Sequence, residues 1–338
     1  MNIKTRAALA GSLVGVLALS ACGGTSDASS GGDDSSGDQL DVVGFSVLEA
    51  SNEEQFANFQ GTDEGADVEF LPSYGASGDQ SRAVEAGKAA DIVHFSLEPD
   101  LQRVVDSGAV ADDWNAGETK GIWTQSVVVF VVREGNPKGI EDWDDLTQDG
   151  VEVITPNPAS SGSAKWNILA AIGQAGDEKA GEAYLTDLLN NTVALPESAR
   201  DATTLFDSGT GDVLLSYENE AILAKQNGAP IEYVLPDTTL LIENPGAVTK
   251  EASESAQAFA DYLLSEEGQT TYAEYGFRPL VDVDVEVEGA TDSSNPFPEP
   301  GTLLTVGEYF NGWGEANDLY FDEESGIVTG LLAETNKG

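Results

Sequence analysis

The 338-residue chain has one cysteine, one histidine and only 15 lysines and arginines, against 60 aspartates and glutamates. A single cysteine excludes a disulfide within the chain, so its stability must come from an ordinary apolar core. The formal charge of −45 argues against a nucleic acid partner, because the phosphate backbone would be repelled over the whole surface. The single histidine, His94, means that any histidine-based catalytic triad depends on this one residue.

The cysteine, Cys22, follows a segment that is typical of a signal peptide. Residues 1–21 carry Lys4 and Arg6 and then an apolar run too short to span a bilayer comfortably. The pattern resembles that of bacterial lipoproteins, in which the cysteine is lipidated and becomes the new N-terminus. We therefore expect a lipoprotein signal peptide and a protein anchored outside the cytoplasm, on the periplasmic side or the cell surface. An ordinary signal peptide with an incidental cysteine is the alternative.

A polar segment separates this N-terminus from the rest of the chain. Residues 22–39 are rich in Gly, Ser and Asp and contain almost no large apolar side chain, so they are predicted to form a disordered tether. Beyond the signal peptide, no segment approaches 18 consecutive apolar residues, the length that a membrane-spanning helix requires. The remaining residues, close to 300 in number, are enough for two lobes with separate cores.

From residue 40 onward, predicted strands alternate with predicted helices. This order is typical of an α/β protein with a sheet of the parallel type. The strand at 125–134 is apolar on both faces, which places it in the centre of the sheet. Together with the extended run 231–244 it provides two crossings between lobes. We therefore predict a discontinuous first lobe, residues 40–125 and 239–338, and a second lobe, residues 126–238, with a ligand cleft between them.

Small hydroxylated residues recur where a predicted strand leads into a helix. The junctions are Gly75–Gly78, Ser160–Ser163, Ser198–Arg200 and Tyr217–Asn219. Ligands of α/β sheets bind at this end of the strands, and the free N–H groups of a helix start suit an anion. Serine is also a favoured helix cap, so each junction alone has a purely structural explanation. The recurrence at one end of the sheet favours a shared anion.

Several of these stretches resemble the sulfate/thiosulfate-binding proteins of ABC importers. The resemblance rests on "SYGASGDQSRAV", "VEVITPNPASSGSAKWNILAA", "GDVLLSYENEAIL", "VVVFVVREGNPKGIEDWDDL", "FRP" and "FNGW". It implies a two-lobe fold like that of the type II periplasmic binding proteins. It also implies a monomer that captures sulfate without a cofactor and passes it to a membrane permease driven by an ATPase.

The resemblance further implies which residues contact the anion. The motifs carry the family's contacts onto six positions: Ser77, Ser161, Gly162, Ser163, Ala199 and Tyr217. Ser163 stands where the family has a glycine, which is harmless if the backbone N–H is used. Tyr217 stands where the family has a tryptophan, and its hydroxyl can donate but need not reach the same point.

A pocket built only from hydrogen-bond donors would suit sulfate. Sulfate is fully ionised near neutral pH and only accepts hydrogen bonds, whereas hydrogen phosphate must also donate one. A site without an acceptor leaves that proton unpaired, at a cost of about 1–3 kcal/mol. We expect Arg82, Lys165 and Arg200, in the first turns of three predicted helices, to lie behind the pocket or in solvent. Glu218 and Glu220 are expected to point away from the anion.

Three other functions remain open from the sequence. A secreted serine hydrolase would use Ser77 and His94, although a lone histidine in an apolar strand is more often a core residue. A metal site could draw on the acidic runs "EDWDDL" and "DVDVEVE", but neither has the spacing of a calcium loop. Thiosulfate, molybdate, tungstate or phosphate could replace sulfate in the same fold, and thiosulfate is the hardest of these to exclude.

Overall fold

The computed structural model describes residues 38–335. The predicted signal peptide, Cys22 and nearly all of the predicted tether lie outside the described residues. At the predicted end of the tether, Gln39 already begins the first strand. Among the described residues, no helix is both long and apolar enough to cross a bilayer.

The described residues contain ten strands that belong to one sheet. The strands are β1 (Gln39–Phe45), β2 (Glu69–Gly75), β3 (Ile92–His94), β4 (Ile122–Arg133), β5 (Val153–Ile154), β6 (Thr192–Ala194), β7 (Val213–Tyr217), β8 (Ile231–Val234), β9 (Thr238–Val248) and β10 (Thr302–Leu304). Hydrogen bonding gives the order β2-β1-β3-β9-β4-β7-β5-β6, with β10 beside β9 and β8 beside β4.

Twelve α-helices surround this sheet in the same part of the chain. They are α1 (Glu49–Gln60), α2 (Ser77–Glu85), α3 (Glu98–Asp106), α4 (Gly162–Gly173), α5 (Glu178–Asn191), α6 (Ala199–Asp207), α7 (Glu218–Gln226), α8 (Glu254–Leu263), α9 (Glu266–Glu274), α10 (Val306–Tyr309), α11 (Trp313–Ala316) and α12 (Ile327–Glu334). Short 3-10 helices lie at Ser46–Leu48 and Trp143–Thr147, and a π-helical turn lies at Asn317–Phe321.

The sheet is mixed, so the prediction of a parallel-type sheet was only partly right. The pairs β1–β2, β1–β3, β5–β6 and β5–β7 are parallel, as the strand–helix alternation predicted. The two longest strands, β4 and β9, instead run antiparallel to each other and to their neighbours β7 and β3. The run 231–244 also divides into β8 and most of β9. The apolar composition of a strand indicates that it is buried but not in which direction it runs, so the antiparallel pairs could not be predicted from the sequence.

β4 is central, as its apolar residues predicted. It pairs with β9, β7 and β8, and the residues from Val127 to Val132 are 3 % exposed or less. A valine-rich strand suits this place because β-branched side chains pack well on both faces of a buried sheet. Helix α4 packs beside it and is buried at every position except Lys165.

The acidic run 282–288, considered from the sequence as a metal site, is an extended segment that does not form a strand. Its acidic residues are exposed, whereas Val287 is fully buried and Val285 packs against the core formed by β4, β7 and α7. The valines anchor this extended segment to the surface, and no strand pairs with it among the described residues.

Candidate functional site

Three helices begin where their preceding strands end. The sequence placed these junctions at one end of a parallel sheet, but in the mixed sheet β5 and β7 run in the direction opposite to β2. β2 ends at Gly75 and α2 begins at Ser77, and β7 ends at Tyr217 immediately before α7. β5, which is parallel to β7, leads through a short loop into α4 at Gly162. The first N–H groups of each helix have no acceptor within the helix, so these starts present donors at the carboxyl ends of the strands.

Capping alone does not explain the serines at these junctions. Ser161 occupies the N-cap position of α4, yet its side chain accepts no capping hydrogen bond. The N-cap position of α2, Ala76, also provides no side-chain cap. At α6 the structural explanation does hold, because the Ser198 hydroxyl accepts a hydrogen bond from the Asp201 backbone N–H at 3.1 Å. The starts of α2 and α4 thus keep free donors.

Two glycines allow these helix starts to approach each other and the end of β3. A Cβ on Gly78 would lie 3.2 Å from the Ser160 carbonyl oxygen, so the first turn of α2 faces the loop before α4. A Cβ on Gly162 would lie 2.4 Å from Ser96 Oγ, closer than real Cβ contacts allow. Only glycine at position 162 permits α4 to begin directly against Ser96.

Ser96 lies where these elements meet. Its backbone N–H donates to Ser77 Oγ at 3.0 Å, and its Oγ lies 2.7 Å from the Tyr217 hydroxyl. Its carbonyl oxygen accepts hydrogen bonds from Trp166 Nε1 and Asn244 Nδ2, both at 3.0 Å. Ser96 alone, two residues past the end of β3, therefore joins the starts of α2, α4 and α7 to strand β9.

The hydroxyl of Ser77 has partners of its own. It donates to Asp100 Oδ2 at 2.6 Å while it accepts from the Ser96 N–H. Asp100 in turn lies 3.2 Å from Arg103 Nη1. Because the hydroxyl proton of Ser77 points to a carboxylate, the donors that this junction presents to a ligand are the backbone N–H groups of the first turn of α2.

Ser163 and Tyr217 supply hydroxyl groups at the start of α4. Ser163 is 3 % exposed, and its Oγ has no hydrogen-bond partner among the described residues. It lies near the fully buried Tyr217 hydroxyl, without reaching hydrogen-bonding geometry. Burial raises the pKa of Tyr217 well above its ordinary value, so its phenol keeps its proton. Two protonated hydroxyls thus lie beside the free N–H groups of α4.

Ala199 lies at the first position of α6 and is 5 % exposed. Helix α6 packs against the short helix Ser46–Leu48 that follows β1. The next residue, Arg200, pairs with Glu220 in the first turn of α7 at 2.9 Å. These contacts place the start of α6 beside the end of β1 and beside the helix that follows Tyr217.

The three basic residues predicted near the site all have other partners. Arg82 pairs with Asp79 at 2.5 Å, and Arg200 pairs with Glu220. Lys165 donates to Asn317 Oδ1 at 2.8 Å and lies 4.9 Å from the centre of the Phe321 ring. Each cation thus has a partner on the protein, although Arg82 Nη1 also lies 3.3 Å from the position of a Cβ on Gly78, in the first turn of α2.

Glu218 and Glu220 are buried and neutralised by arginines. Glu218 accepts hydrogen bonds from Arg278 Nε at 2.7 Å and Nη2 at 3.1 Å. Glu220 accepts from Arg200 Nη2. Burial raises the pKa of both glutamates, and the arginines act in the opposite direction. Sequence reasoning expected these carboxylates to point away but did not identify their partners.

The contacts of His94 do not support a hydrolase. His94 is 1 % exposed, and its Nε2 lies 3.3 Å from Thr124 Oγ1. Its ring packs against the rings of Phe45 and Trp123. The hydroxyl of Ser77 is bonded to Asp100 and to the Ser96 N–H, so the nucleophile–base pair of the hydrolase hypothesis is not formed. Within residues 38–335, no group of three or more His, Cys, Asp or Glu side chains is arranged to hold a metal ion.

Ser96 and Asp100 were missed by the sequence analysis. Both follow β3, and Ser96 lies two residues after its end at His94. The rule that located the other junctions, a small hydroxylated residue between a strand and a helix, would have found Ser96 as well. Its partners Tyr217 and Asn244 are more than 100 residues away in the chain, so no local pattern predicts these contacts.

The fold and this arrangement of helix starts define a class of binding protein. The chain belongs to the bacterial extracellular solute-binding proteins, whose family model matches residues 40–278. The two-lobe α/β fold expected from the sequence is confirmed by the solved structures that it resembles.

Among curated relatives, the chain is 38% identical to a sulfate-binding protein of Synechococcus elongatus, over 91% of this chain and 90% of that one. It resembles the solved structure of the sulfate-binding protein SubI from Mycobacterium tuberculosis H37Rv with a TM-score of 0.79 and 43% identity, over 84% of this chain and all of that one. It is also 32% identical to a thiosulfate-binding protein of Escherichia coli K12, over 86% and 87% of the two chains.

Proposed function

We propose that this chain is the extracytoplasmic solute-binding protein of a sulfate importer. It captures sulfate in the cleft between two lobes and delivers it to an ABC-type permease driven by an ATPase. The observation that carries this proposal is the buried hydroxyl of Ser163 at the uncapped start of α4, which has no hydrogen-bond partner among the described residues. A buried donor without a partner costs about 1–3 kcal/mol, and an anion at this point supplies the missing acceptor.

The proposed site binds sulfate through neutral groups. The anion accepts hydrogen bonds from the first turns of α2, α4 and α6 and from the hydroxyls of Ser163 and Tyr217. The contacting residues are those assigned from the sequence: Ser77, Ser161, Gly162, Ser163, Ala199 and Tyr217. Helix dipoles and oriented amides spread the dianion's charge, so no cation needs to contact it. The protein carries out no chemistry on its ligand and needs no cofactor.

The proposed lobes are residues 40–125 with 239–338, and residues 126–238. Strands β4 and β9 support this division because they cross between the two groups of strands. The end of β9 pairs with β3, whereas residues 128–133 of β4 pair with β7 and β8. In this division Ser77 and Ser96 belong to the first lobe, and Ser163, Ala199 and Tyr217 to the second. Closure of the lobes then completes the anion site.

Isothermal titration calorimetry of the purified protein tests the ligand. Sulfate, thiosulfate, molybdate and hydrogen phosphate are titrated separately into the wild type and into Ser163→Ala. We expect sulfate to bind most tightly, and the variant to lose about 10- to 100-fold in affinity, the value of one charge-assisted hydrogen bond. Thiosulfate is the second candidate ligand because the thiosulfate-binding relative aligns over 305 residues, nearly as many as the 324 of the sulfate-binding relative. Tighter binding of thiosulfate would assign that anion instead.

We further propose that the protein is held at the membrane by a lipid on Cys22. Removal of residues 1–21 as a signal peptide would leave this cysteine at the N-terminus, followed by a polar tether up to about residue 39. The protein would then act as a monomer on the outer face of the membrane, next to its permease. Cys22→Ser is expected to release the protein from the membrane fraction, and retention there would contradict the lipid anchor.

A further inference from the structure

Ser96 makes an unusual set of contacts for a residue that the family motifs do not mark. Its backbone forms hydrogen bonds with Ser77, Trp166 and Asn244. Its side chain has a single hydrogen-bond partner within residues 38–335, the Tyr217 hydroxyl at 2.7 Å. Both residues are nearly inaccessible, Ser96 at 1 % and Tyr217 at 0 % exposure. The backbone contacts explain the position of the residue, but they do not explain why its side chain carries a hydroxyl.

The hydrogen bond between these hydroxyls has a direction that the chemistry decides. A phenol is more acidic than an aliphatic hydroxyl and is therefore the stronger donor, and a sulfate dianion would be the strongest acceptor at this place. The lower-energy arrangement gives the phenol proton to the anion and the serine proton to the phenol oxygen. The two hydrogen bonds in this series strengthen each other, because a phenol oxygen that accepts one hydrogen bond makes the phenol proton a better donor.

We propose that Ser96 is a specificity-determining residue of the anion site, which donates its proton to Tyr217 and so fixes the phenol as a donor toward the ligand. The proposal rests on the proposed function and extends it. With a phenol lone pair occupied by Ser96, Tyr217 offers the anion a proton. A protonated oxyanion such as hydrogen phosphate then finds no acceptor for its own proton at Tyr217.

The surroundings fit this role. The first residue of α4, Gly162, lies directly against Ser96, because a Cβ there would be 2.4 Å from Ser96 Oγ. The unpartnered Ser163 hydroxyl is near the Tyr217 hydroxyl. The phenol proton can therefore reach the start of α4, where the anion is proposed to bind. In the proposed division of lobes, the Ser96–Tyr217 bond also joins the two lobes, so it forms as the cleft closes.

A double-mutant cycle tests the assignment by titration calorimetry with sulfate and with hydrogen phosphate. The proteins are the wild type, Ser96→Ala, Tyr217→Phe and the double variant. Ser96→Gly serves as a second variant if Ser96→Ala is poorly folded, and both keep the backbone bonds of residue 96. Ser107→Ala is the matched control, because it removes a hydroxyl hydrogen bond, to the Val104 carbonyl oxygen, at the opposite end of α3.

We expect Ser96→Ala and Tyr217→Phe each to weaken sulfate binding by about 10-fold or more, and the double variant to bind no more weakly than Tyr217→Phe alone. Ser96→Ala should also reduce the ratio of sulfate to hydrogen phosphate affinity several-fold, whereas Ser107→Ala changes neither value. Additive losses in the double variant, or an unchanged ratio in Ser96→Ala, would overturn the assignment while sulfate binding by the wild type stands. Absence of sulfate binding by the wild type would instead overturn the proposed function.

Discussion

At the scale of single residues, the absence of a side chain at position 162 is what allows α4 to begin directly against Ser96. A methyl group there would lie 2.4 Å from Ser96 Oγ and 2.7 Å from Ser96 Cβ. We expect Gly162→Ala to weaken sulfate binding about 5- to 150-fold, which corresponds to the 1–3 kcal/mol cost of overpacking. Gly307→Ala is the control, because no atom lies within 4 Å of the added methyl. Equal affinities of the two variants in calorimetry would contradict the predicted closure.

The buried imidazole of His94 gives the folded protein a pH dependence. Burial lowers the pKa of His94 from 6.5 to about 3. Below pH 6.5 the unfolded chain binds a proton that the folded protein does not, so this residue lowers stability as the pH falls from 6.5 toward 3. The slope is about 1.4 kcal/mol per pH unit. In urea unfolding between neutral pH and pH 5, His94→Gln should lose stability less steeply than the wild type. Identical slopes would show that the pKa of His94 is the same in the folded and unfolded protein, which contradicts the lowered value.

The sequence predicted most of the candidate site at this scale, with limits that have a physical cause. The serines and glycine of residues 161–163 stand at a strand–helix junction, and that local pattern is visible without a structure. The direction of the Ser77 hydroxyl toward Asp100 and the pairing of Ser96 with Tyr217 depend on chain segments that only folding brings together. Composition and spacing carry no information about such pairings.

At the scale of elements, a buried ion pair fastens the C-terminal part of the chain to α7. Glu218 is the first residue of α7 and is fully buried, and Arg278 lies in the segment after α9. Arg278 also donates to the Pro298 carbonyl oxygen at 2.9 Å. The ion pair therefore connects α7 with both ends of the extended segment between α9 and β10.

We expect Glu218→Gln to lower the free energy of unfolding by about 3–5 kcal/mol, because it leaves the Arg278 charge buried without a partner. Sulfate affinity of the folded variant should stay close to that of the wild type, since Glu218 faces Arg278. Glu254→Gln, at an exposed first position of α8, is the matched control and should change stability little. The measurement is chemical denaturation combined with calorimetry. A stable Glu218→Gln protein that no longer binds sulfate would place Glu218 in the anion site instead.

The elements themselves were largely predictable, and their directions were not. The alternation of strands and helices predicted from residue 40 onward is found in the structure from β1 to α7. The antiparallel run of β4 against β9 was missed because an apolar strand looks the same in either direction. The segment 282–288 shows a related limit. Its valines alternate with exposed acidic residues as in a strand, but no strand pairs with it among the described residues.

At the scale of the whole molecule, the charge of −45 acts against the capture of a dianion. At the proposed site the helix starts would attract sulfate only at short range, whereas the acidic surface would repel it over roughly a Debye length, about 10 Å at 0.1 M salt. We expect the association rate to rise with ionic strength, for example from about 10 mM to about 300 mM sodium chloride. Stopped-flow tryptophan fluorescence follows this rate because Trp166 lies in α4, which begins at the site. A rate that is independent of salt would contradict long-range repulsion.

We expect this strongly acidic protein to hold a fully ionised anion with neutral donors from several helix starts. A crystal structure of the protein with bound sulfate tests it most directly. The account predicts sulfate oxygens within hydrogen-bond distance of backbone N–H groups at the starts of α2, α4 and α6 and of the Ser163 and Tyr217 hydroxyls, with no cation in contact. A lysine, an arginine or a metal ion directly against the sulfate, or sulfate bound away from these helix starts, would contradict it.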